Sequence, residues 1–194
     1  MIPIWVSIGG VMILLGVMIG GLKLLTLHHQ LHPELTRKLL HVGMGMVILS
    51  FPWVFTSPWP VFLLAGLSTL AMAGMRLLKF LREGVGSVLT GVNRIGWGEV
   101  YYPLAVGILF WWTEGDPLLF SIPILILSLA DTVAALVGVR YGQLTYSSCD
   151  SHKSVEGSVG FLIVAFLSVH LPLLLFSQVG RVETLLIALV MPCW

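Results

Sequence analysis

Charge is scarce in this chain. Asp, Glu, Lys and Arg together make up 10% of its 194 residues, whereas soluble domains carry about 25%. Hydrophobic residues make up 57%, so the composition excludes an ordinary soluble domain. It predicts an all-α fold, a polytopic integral membrane helix bundle that forms a single transmembrane domain over residues 1–194.

The chain also lacks a basic excess and has little cysteine. The net charge is +1, which argues against a nucleic-acid-binding face. Cys149 and Cys193 are too few for a disulfide framework or a zinc pattern, so a free thiol is expected at Cys149. No Lys or Arg precedes the first apolar run, which is longer than the apolar region of a signal peptide. We therefore expect that run to remain as a helix.

Long apolar runs take the place of charge. A spanning helix needs about 20 apolar residues, and six spans are predicted: Pro3–Leu22, Leu39–Thr56, Trp59–Met75, the shorter Val100–Trp112, Pro117–Val137 and Val155–Ser177. The last run, Thr184–Trp194, covers only roughly 16 Å at 1.5 Å per residue. It is expected to form a short or truncated seventh helix that does not span. Residues 83–98 are rich in glycine, which predicts a loop or a re-entrant segment.

The basic residues fall on one side of this pattern. Nine of the ten Lys and Arg residues lie in the first, third and fifth loops. Cytoplasmic loops carry an excess of Lys and Arg. The pattern therefore predicts a multi-pass protein with its N-terminus outside and its polar residues gathered at the cytoplasmic face.

Asp131 lies inside the fifth apolar run. A charge at the centre of a spanning helix costs about 2.5 to 3.5 kcal/mol on insertion scales, and acidic residues kept there are commonly functional. Two interpretations stay open. One is a metal or proton site, and the other is a hydrogen bond that packs helices, with Ser128 or Thr132 as the neighbour.

The sixth run opens with the pattern Lys153-Ser154-x-Glu156-Gly157-x-Ser158. A cation, hydroxyl groups and the free N–H groups of a helix start suit a phosphate. The glycines that a Walker A loop needs before its lysine are absent. The alternative is a lysine that reaches the membrane surface beside an N-cap serine.

Two further segments place charge at the same face. Arg37 and His41 are four residues apart and share one helix face, and a basic membrane anchor is the alternative. Asn93 and Arg94 lie in the glycine-rich stretch before Glu99, where the alternative is a flexible connection ending in a helix-capping acid. Together these cations and acids predict a metal–nucleotide site for phosphoryl transfer, open to a lipid alcohol from the bilayer.

Four segments resemble the polyprenol kinase family, which includes phytol and dolichol kinases and is similar to the CTP-using phosphatidate cytidylyltransferases. The segments are residues 37–41 (RKLLH), 98–104 (GEVYYPL), 130–142 (ADTVAALVGVRYG) and 153–158 (KSVEGS). The resemblance implies a multi-pass enzyme that transfers the γ-phosphate of CTP to a long-chain isoprenoid alcohol. Family members usually continue past the position of Glu183 into a further helix.

The residue chemistry and the resemblance together assign roles. Asp131, with Glu156 as its partner, is predicted to hold Mg²⁺ through hard oxygen ligands. Lys153 is predicted to bind the nucleotide phosphates as a catalytic residue, and Glu99 and His41 are candidate proton acceptors. The other predicted nucleotide-binding residues are Ser154, Ser158, Arg140, Arg37 and Arg94.

Two other functions stay open. A cytidylyltransferase acting on a phosphorylated lipid would use the same nucleotide and metal but would release pyrophosphate, where a kinase releases CDP. A small transporter without enzymatic activity would use Asp131 as a coupling acid. No internal repeat of the kind common in transporters is evident between the two halves of the chain.

Overall fold

The computed structural model describes residues 3–29, 33–77, 98–148 and 151–191. The chain divides into two compact units, Met1–Phe120 and Ser121–Trp194, and each is described by itself. The single transmembrane domain stays a prediction.

Helices make up most of both units. The first unit contains α1 (Ile4–His29), α2 (Pro33–Leu49), α3 (Phe51–Val54), α4 (Trp59–Leu77) and α5 (Gly98–Trp112). The boundary between the units falls within α6 (Pro117–Leu125), which continues as a π-helical segment (Ile126–Ala130) and then as α7 (Asp131–Tyr141). The second unit is completed by strands β1 (Thr145–Ser148) and β2 (Ser151–Ser154) and by helices α8 (Val155–Phe176) and α9 (Arg181–Val190).

The helices confirm the predicted all-α membrane bundle. Three of those described are long and apolar enough to cross a membrane: Ile4–Thr26, Pro117–Tyr141 and Val155–Phe176. Two shorter apolar helices, Trp59–Gly74 and Tyr101–Trp112, accompany them. The chain is therefore an integral membrane protein.

The first two predicted spans have different ends in the structure. α1 continues past Leu22 to His29, so Lys23, predicted to lie in a loop, is helical. The predicted span Leu39–Thr56 is divided, because α2 ends at Leu49 and the short helix α3 follows. Pro52 lacks the N–H that a continuous helix would need here and its ring would crowd the preceding turn.

Tryptophan side chains mark one end of the first unit. Trp5 lies near the start of α1, Trp59 at the start of α4 and Trp112 at the end of α5, and all three are exposed. The rings of Trp5 and Trp59 pack edge to face with centroids 5.7 Å apart. Exposed tryptophans are typical of the boundary between lipid and water, so this end of the helices indicates one membrane surface.

The second unit is built around the antiparallel pair α7 and α8. A Cβ atom at Gly157 would lie 2.7 Å from the carbonyl oxygen of Ala134 and 3.3 Å from the Cα of Gly138. Small residues at such points let membrane helices approach to backbone contact. α9 packs on α8 and buries Thr184 and Ala188 completely. Its 10 residues agree with the predicted short C-terminal helix.

Candidate functional site

Asp131 begins α7 directly after the π-helical segment. Pro123 lies inside α6, and the segment Ile126–Ala130 interrupts the regular α-helical ladder just before Asp131. Such π-helical turns are frequent at functional sites. Asp131 is half-buried. The nearby Ser128 hydroxyl donates its proton to the Ile124 carbonyl at 2.6 Å. Ser128 therefore does not use this proton for a helix-packing hydrogen bond to Asp131, which was one interpretation of the sequence.

The polar loop predicted after the fifth span contains a β-hairpin. Strands β1 and β2 pair antiparallel, with Tyr146 opposite Lys153 and Thr145 opposite Ser154. Each strand has four residues, which is too short for a reliable alternation of polar and apolar residues in the sequence. The hairpin places Lys153, exposed to solvent, on a strand immediately before α8.

Hydroxyl groups join this hairpin to the start of α8. Ser154 is the N-cap, and its Oγ accepts a hydrogen bond from the N–H of Gly157 at 3.1 Å. The hydroxyl of Ser158 donates to the carbonyl of Ser154 at 3.0 Å. Its proton is then committed, so the Tyr146 hydroxyl is the donor in the 2.7 Å contact with Ser158 Oγ. The hairpin and the first turn of α8 thus form one hydrogen-bonded group.

The same contacts correct the prediction that free N–H groups at this helix start bind phosphate. The N–H of Val155 donates to the Leu144 carbonyl at 2.9 Å, and Ser154 caps the N–H of Gly157. The helix keeps its dipole, but these two backbone donors are already used. A phosphate bound at this end would therefore depend mainly on side-chain cations.

The side chain of Glu156, in the first turn of α8, also fixes the hairpin to this helix. Its Oε1 accepts hydrogen bonds from the N–H groups of Gln143 at 3.1 Å and Leu144 at 3.3 Å. Its Oε2 is buried and has no hydrogen-bond partner among the described residues. Buried carboxylate oxygens are normally satisfied, so this atom is a candidate ligand for a cation.

Asp131 and Glu156 lie at different levels of the α7–α8 pair. Asp131 is the first residue of α7, whereas Glu156 binds amides that follow the last residue, Tyr141. The helix between Asp131 and Tyr141 is roughly 15 Å long at 1.5 Å per residue. Two carboxylates sharing one Mg²⁺ would each place an oxygen about 2.1 Å from the ion. Joint binding of one ion stays a prediction, and it would require Glu156 to leave the hairpin.

Two exposed cations lie near this end of the pair. Arg140, predicted to lie in a loop, is in the last turn of α7, with its guanidinium carbon 5.7 Å from the ring centroid of Tyr141. Because Gly138 contacts Gly157, the end of α7 lies beside the start of α8. The structure thus brings one subset of the predicted site residues to one end of the second unit, namely Arg140, Lys153, Ser154, Glu156 and Ser158.

The first unit holds other predicted residues. Arg37 and His41 are one turn apart in α2, and Glu99 is in the first turn of α5. The ring of His41 packs against Tyr102, with centroids 5.1 Å apart. The Tyr102 hydroxyl is buried and has no hydrogen-bond partner among the described residues. Tyr102 belongs to the segment 98–104, whose sequence pattern by itself indicates no role for this residue. The predictions for Asn93, Arg94 and Cys149 fall outside the described residues.

Comparison with known proteins decides the family. The chain is 32% identical to the phytol kinase of Synechocystis sp. over 168 residues, which cover 86% of this chain and 70% of that protein. The chain belongs to the phytol kinase family. A probable chloroplastic phytol kinase 1 of Glycine max is 29% identical over 87% of this chain and 60% of its own length. No family model and no solved structure match the chain.

Membership of the phytol kinase family confirms the resemblance predicted from the four sequence segments. It makes the chain a kinase, a phosphotransferase with an alcohol as the acceptor. The comparison assigns no role to individual residues, so the roles of Asp131, Lys153 and Glu156 rest on their chemistry and placement.

In this phytol kinase family member, Glu156→Ala is expected to loosen the hairpin. The change removes the charged acceptor of two N–H groups, so hydrogen–deuterium exchange at Gln143 and Leu144 should accelerate. Glu156→Gln keeps an acceptor oxygen and should change exchange less. Glu183→Ala is the control, because Glu183 accepts a hydrogen bond from Gly180 at the start of α9. Unchanged exchange at Gln143 and Leu144 in Glu156→Ala would contradict the assignment.

Proposed function

We propose that this chain transfers the γ-phosphate of CTP to a long-chain isoprenoid alcohol, phytol or a similar prenol, at the cytoplasmic face of the membrane. The observation that carries the proposal is the pair of exposed cations, Arg140 and Lys153, beside the start of α8 in a member of the phytol kinase family. Phosphoryl transfer asks a protein mainly to position phosphates and to neutralise their charge. Two cations beside a helix N-terminus suit that task.

The cations have different parts in this proposal. The planar guanidinium of Arg140 can bind two phosphate oxygens at once, whereas the ammonium of Lys153 acts as a compact charge. Ser154 uses its Oγ as an acceptor from Gly157, which leaves its own proton for a phosphate oxygen. The proton of Ser158 goes to a backbone carbonyl, so Ser158 would act by holding the hairpin in place.

Mg²⁺ is the metal that we propose. No group of three or more His, Cys, Asp or Glu side chains placed to hold a metal occurs in the described parts of the chain. Mg²⁺ does not need one, because it usually keeps several waters and binds one or two carboxylates together with substrate phosphates. Asp131 would hold it, and Glu156, whose Oε2 is unpartnered in the described part of the chain, would join it only after leaving the hairpin. When bound, the ion would neutralise negative charge on the nucleotide phosphates.

The proposed reaction is a direct phosphoryl transfer. The alcohol oxygen forms a bond to the γ-phosphorus of CTP, the bond from that phosphorus to the bridging oxygen breaks, and CDP leaves. The hydroxyl proton passes to an acceptor, for which we propose His41 or Glu99, and a loose transition state makes little demand on that base. The remaining proposed phosphate ligands are Arg37 and Arg94.

The activity is tested directly with the purified chain, Mg²⁺ and labelled CTP or ATP. The acceptor panel is phytol, geranylgeraniol, dolichol, diacylglycerol and phosphatidate. Formation of a phosphorylated prenol together with CDP supports the proposal. Release of pyrophosphate with phosphatidate would identify a cytidylyltransferase instead, and turnover with ATP alone would overturn the choice of donor.

Asp131→Asn is expected to lower turnover of the prenol by orders of magnitude while the protein still inserts and folds. The change keeps the size of the side chain and removes the charge that would hold the metal. Asp116→Asn is the matched control, since Asp116 caps α6 through the N–H groups of Leu118 and Leu119. Asp131→Asn with near-normal turnover would remove Asp131 from the proposed site.

Lys153→Met is expected to raise KM for the nucleotide about tenfold and to change KM for the alcohol little. One charge-assisted hydrogen bond to phosphate is worth about 1.5–3 kcal/mol, and about 1.4 kcal/mol corresponds to a factor of ten. Arg181→Met, at an exposed cation on α9, is the control. Equal effects on both KM values would argue against a nucleotide contact by Lys153.

The proposed sidedness follows from the distribution of Lys and Arg. In a protein with Cys149 and Cys193 replaced by serine, a membrane-impermeant maleimide added outside should label Trp112→Cys but not Gln143→Cys. Both positions are exposed. Gly115 is less suitable for the outer probe, because its φ of 74° disfavours any side chain. The reverse labelling pattern would overturn the cytoplasmic placement of the hairpin.

A further inference from the structure

An apolar crevice lies within the first unit between α1, α2, α4 and α5. Each of these helices contributes hydrocarbon side chains to its wall, including Val11, Val47, Leu64, Ala65 and Val106. Ser68 and Tyr102 supply the hydroxyl groups in this lining. A cavity with such walls binds ligands by burying apolar surface.

The hydroxyl groups of the crevice lie together at one end. Gly107 of α5 lies against Phe62 and Ala65 of α4. A Cβ atom added at Gly107 would lie 3.2 Å from the Phe62 ring and 3.4 Å from the Ala65 methyl group. At the other end Pro58, which precedes α4, and Trp112, which ends α5, line a common cavity, so the two helices run antiparallel. Residues that precede Gly107 in α5 therefore lie beside residues that follow Ala65 in α4. Tyr102 and Ser68 both belong to this part of the helix pair.

His41 extends this polar end. It lies one helical turn before Met44, which lines the crevice, and its ring packs against that of Tyr102. From His41 and Tyr102 the apolar walls continue toward Phe51 and Val61, at the tryptophan-bearing end of the unit. The crevice therefore has one polar head region, and apolar side chains form the rest of its lining.

The head region contains an unsatisfied group. The Tyr102 hydroxyl is buried without a hydrogen-bond partner among the described residues. Leaving a buried hydroxyl without a partner is unfavourable, and tyrosine hydroxyls usually find a partner when they are buried. A ligand that brings a hydroxyl group to this position would supply that partner.

We propose that this crevice binds the tail of a single-chain isoprenoid alcohol, with the alcohol hydroxyl hydrogen-bonded to Tyr102 and adjacent to His41. The proposal rests on the proposed function for the class of ligand. A head with one hydroxyl and a body of hydrocarbon match the two regions of the crevice. A diacylglycerol has two tails and two ester groups at its head, which match one apolar region ending in hydroxyl groups less well.

The position of the tail is tested by photolabelling of the purified full-length chain. The probe is a geranylgeraniol analogue with a diazirine at the end of its tail, and the labelled peptides are identified by mass spectrometry. We expect labelling near Phe51 and Val61, suppressed by excess phytol but not by dioleoylglycerol. Labelling confined to exposed lipid-facing residues such as Leu14 and Leu70, or suppressed equally by dioleoylglycerol, would overturn the proposal.

Two variants test the walls and the head separately. Ala65→Phe should raise KM for geranylgeraniol tenfold or more and affect the shorter geraniol less, whereas Ala71→Phe, exposed on the same helix, should change neither. Tyr102→Phe keeps the ring beside His41 and should raise KM for geranylgeraniol about fivefold, the equivalent of one hydrogen bond, with KM for CTP unchanged. A normal KM for geranylgeraniol in Tyr102→Phe would overturn the hydroxyl contact even if Ala65→Phe fails to fold.

The outcome also separates this proposal from the proposed function. Labelling of the crevice by the probe in a protein that phosphorylates no prenol would support the crevice and refute the kinase reaction. Phosphorylation of geranylgeraniol with the label elsewhere would refute the crevice and support the kinase reaction.

Discussion

The close approach of α7 and α8 sets the geometry of the second unit. Gly138 and Gly157 meet where a methyl group on either would collide with its neighbours, and membrane helices rely on such packing because lipid tails are as apolar as their own side chains. Ser154 fits into the same contact, since a Cβ at Gly138 would lie 2.9 Å from its Oγ. The position of the hairpin, the N-cap and Lys153 all follow from this contact.

Structural and chemical tasks are divided among the polar residues at that end. Ser154, Ser158 and Glu156 close the hydrogen bonds that join the hairpin to α8. Arg140 and Lys153 are exposed instead, and their charges are directed at solvent. Ser158 thus has only a structural part, whereas Ser154 and Glu156 hold the hairpin in place and are also proposed ligands of the phosphate and the metal.

The crevice of the first unit has few polar groups in its lining. Apolar side chains of helices α1, α2, α4 and α5 line the crevice, and the hydroxyl groups of this lining lie at one end. A substrate that is nearly all hydrocarbon offers one hydroxyl for recognition. Apolar walls with Tyr102 and His41 at one end fit that chemistry. A binding site for a hydrocarbon tail is hard to recognise in a sequence, because many combinations of apolar side chains can form one.

Composition and the length of the apolar runs determined the all-α membrane architecture, since hydrocarbon accepts only segments that satisfy their own backbone. The motifs around Asp131 and Lys153 likewise determined the family, which the relatives confirm. Tertiary structure alone decided the hairpin, the use of Glu156 and Ser158 as internal hydrogen-bond partners and the pairing of His41 with Tyr102. The physical reason is that these depend on contacts between residues far apart in the chain. Glu156 reaches Gln143 only because two glycines bring α7 and α8 together, and no local periodicity encodes that meeting.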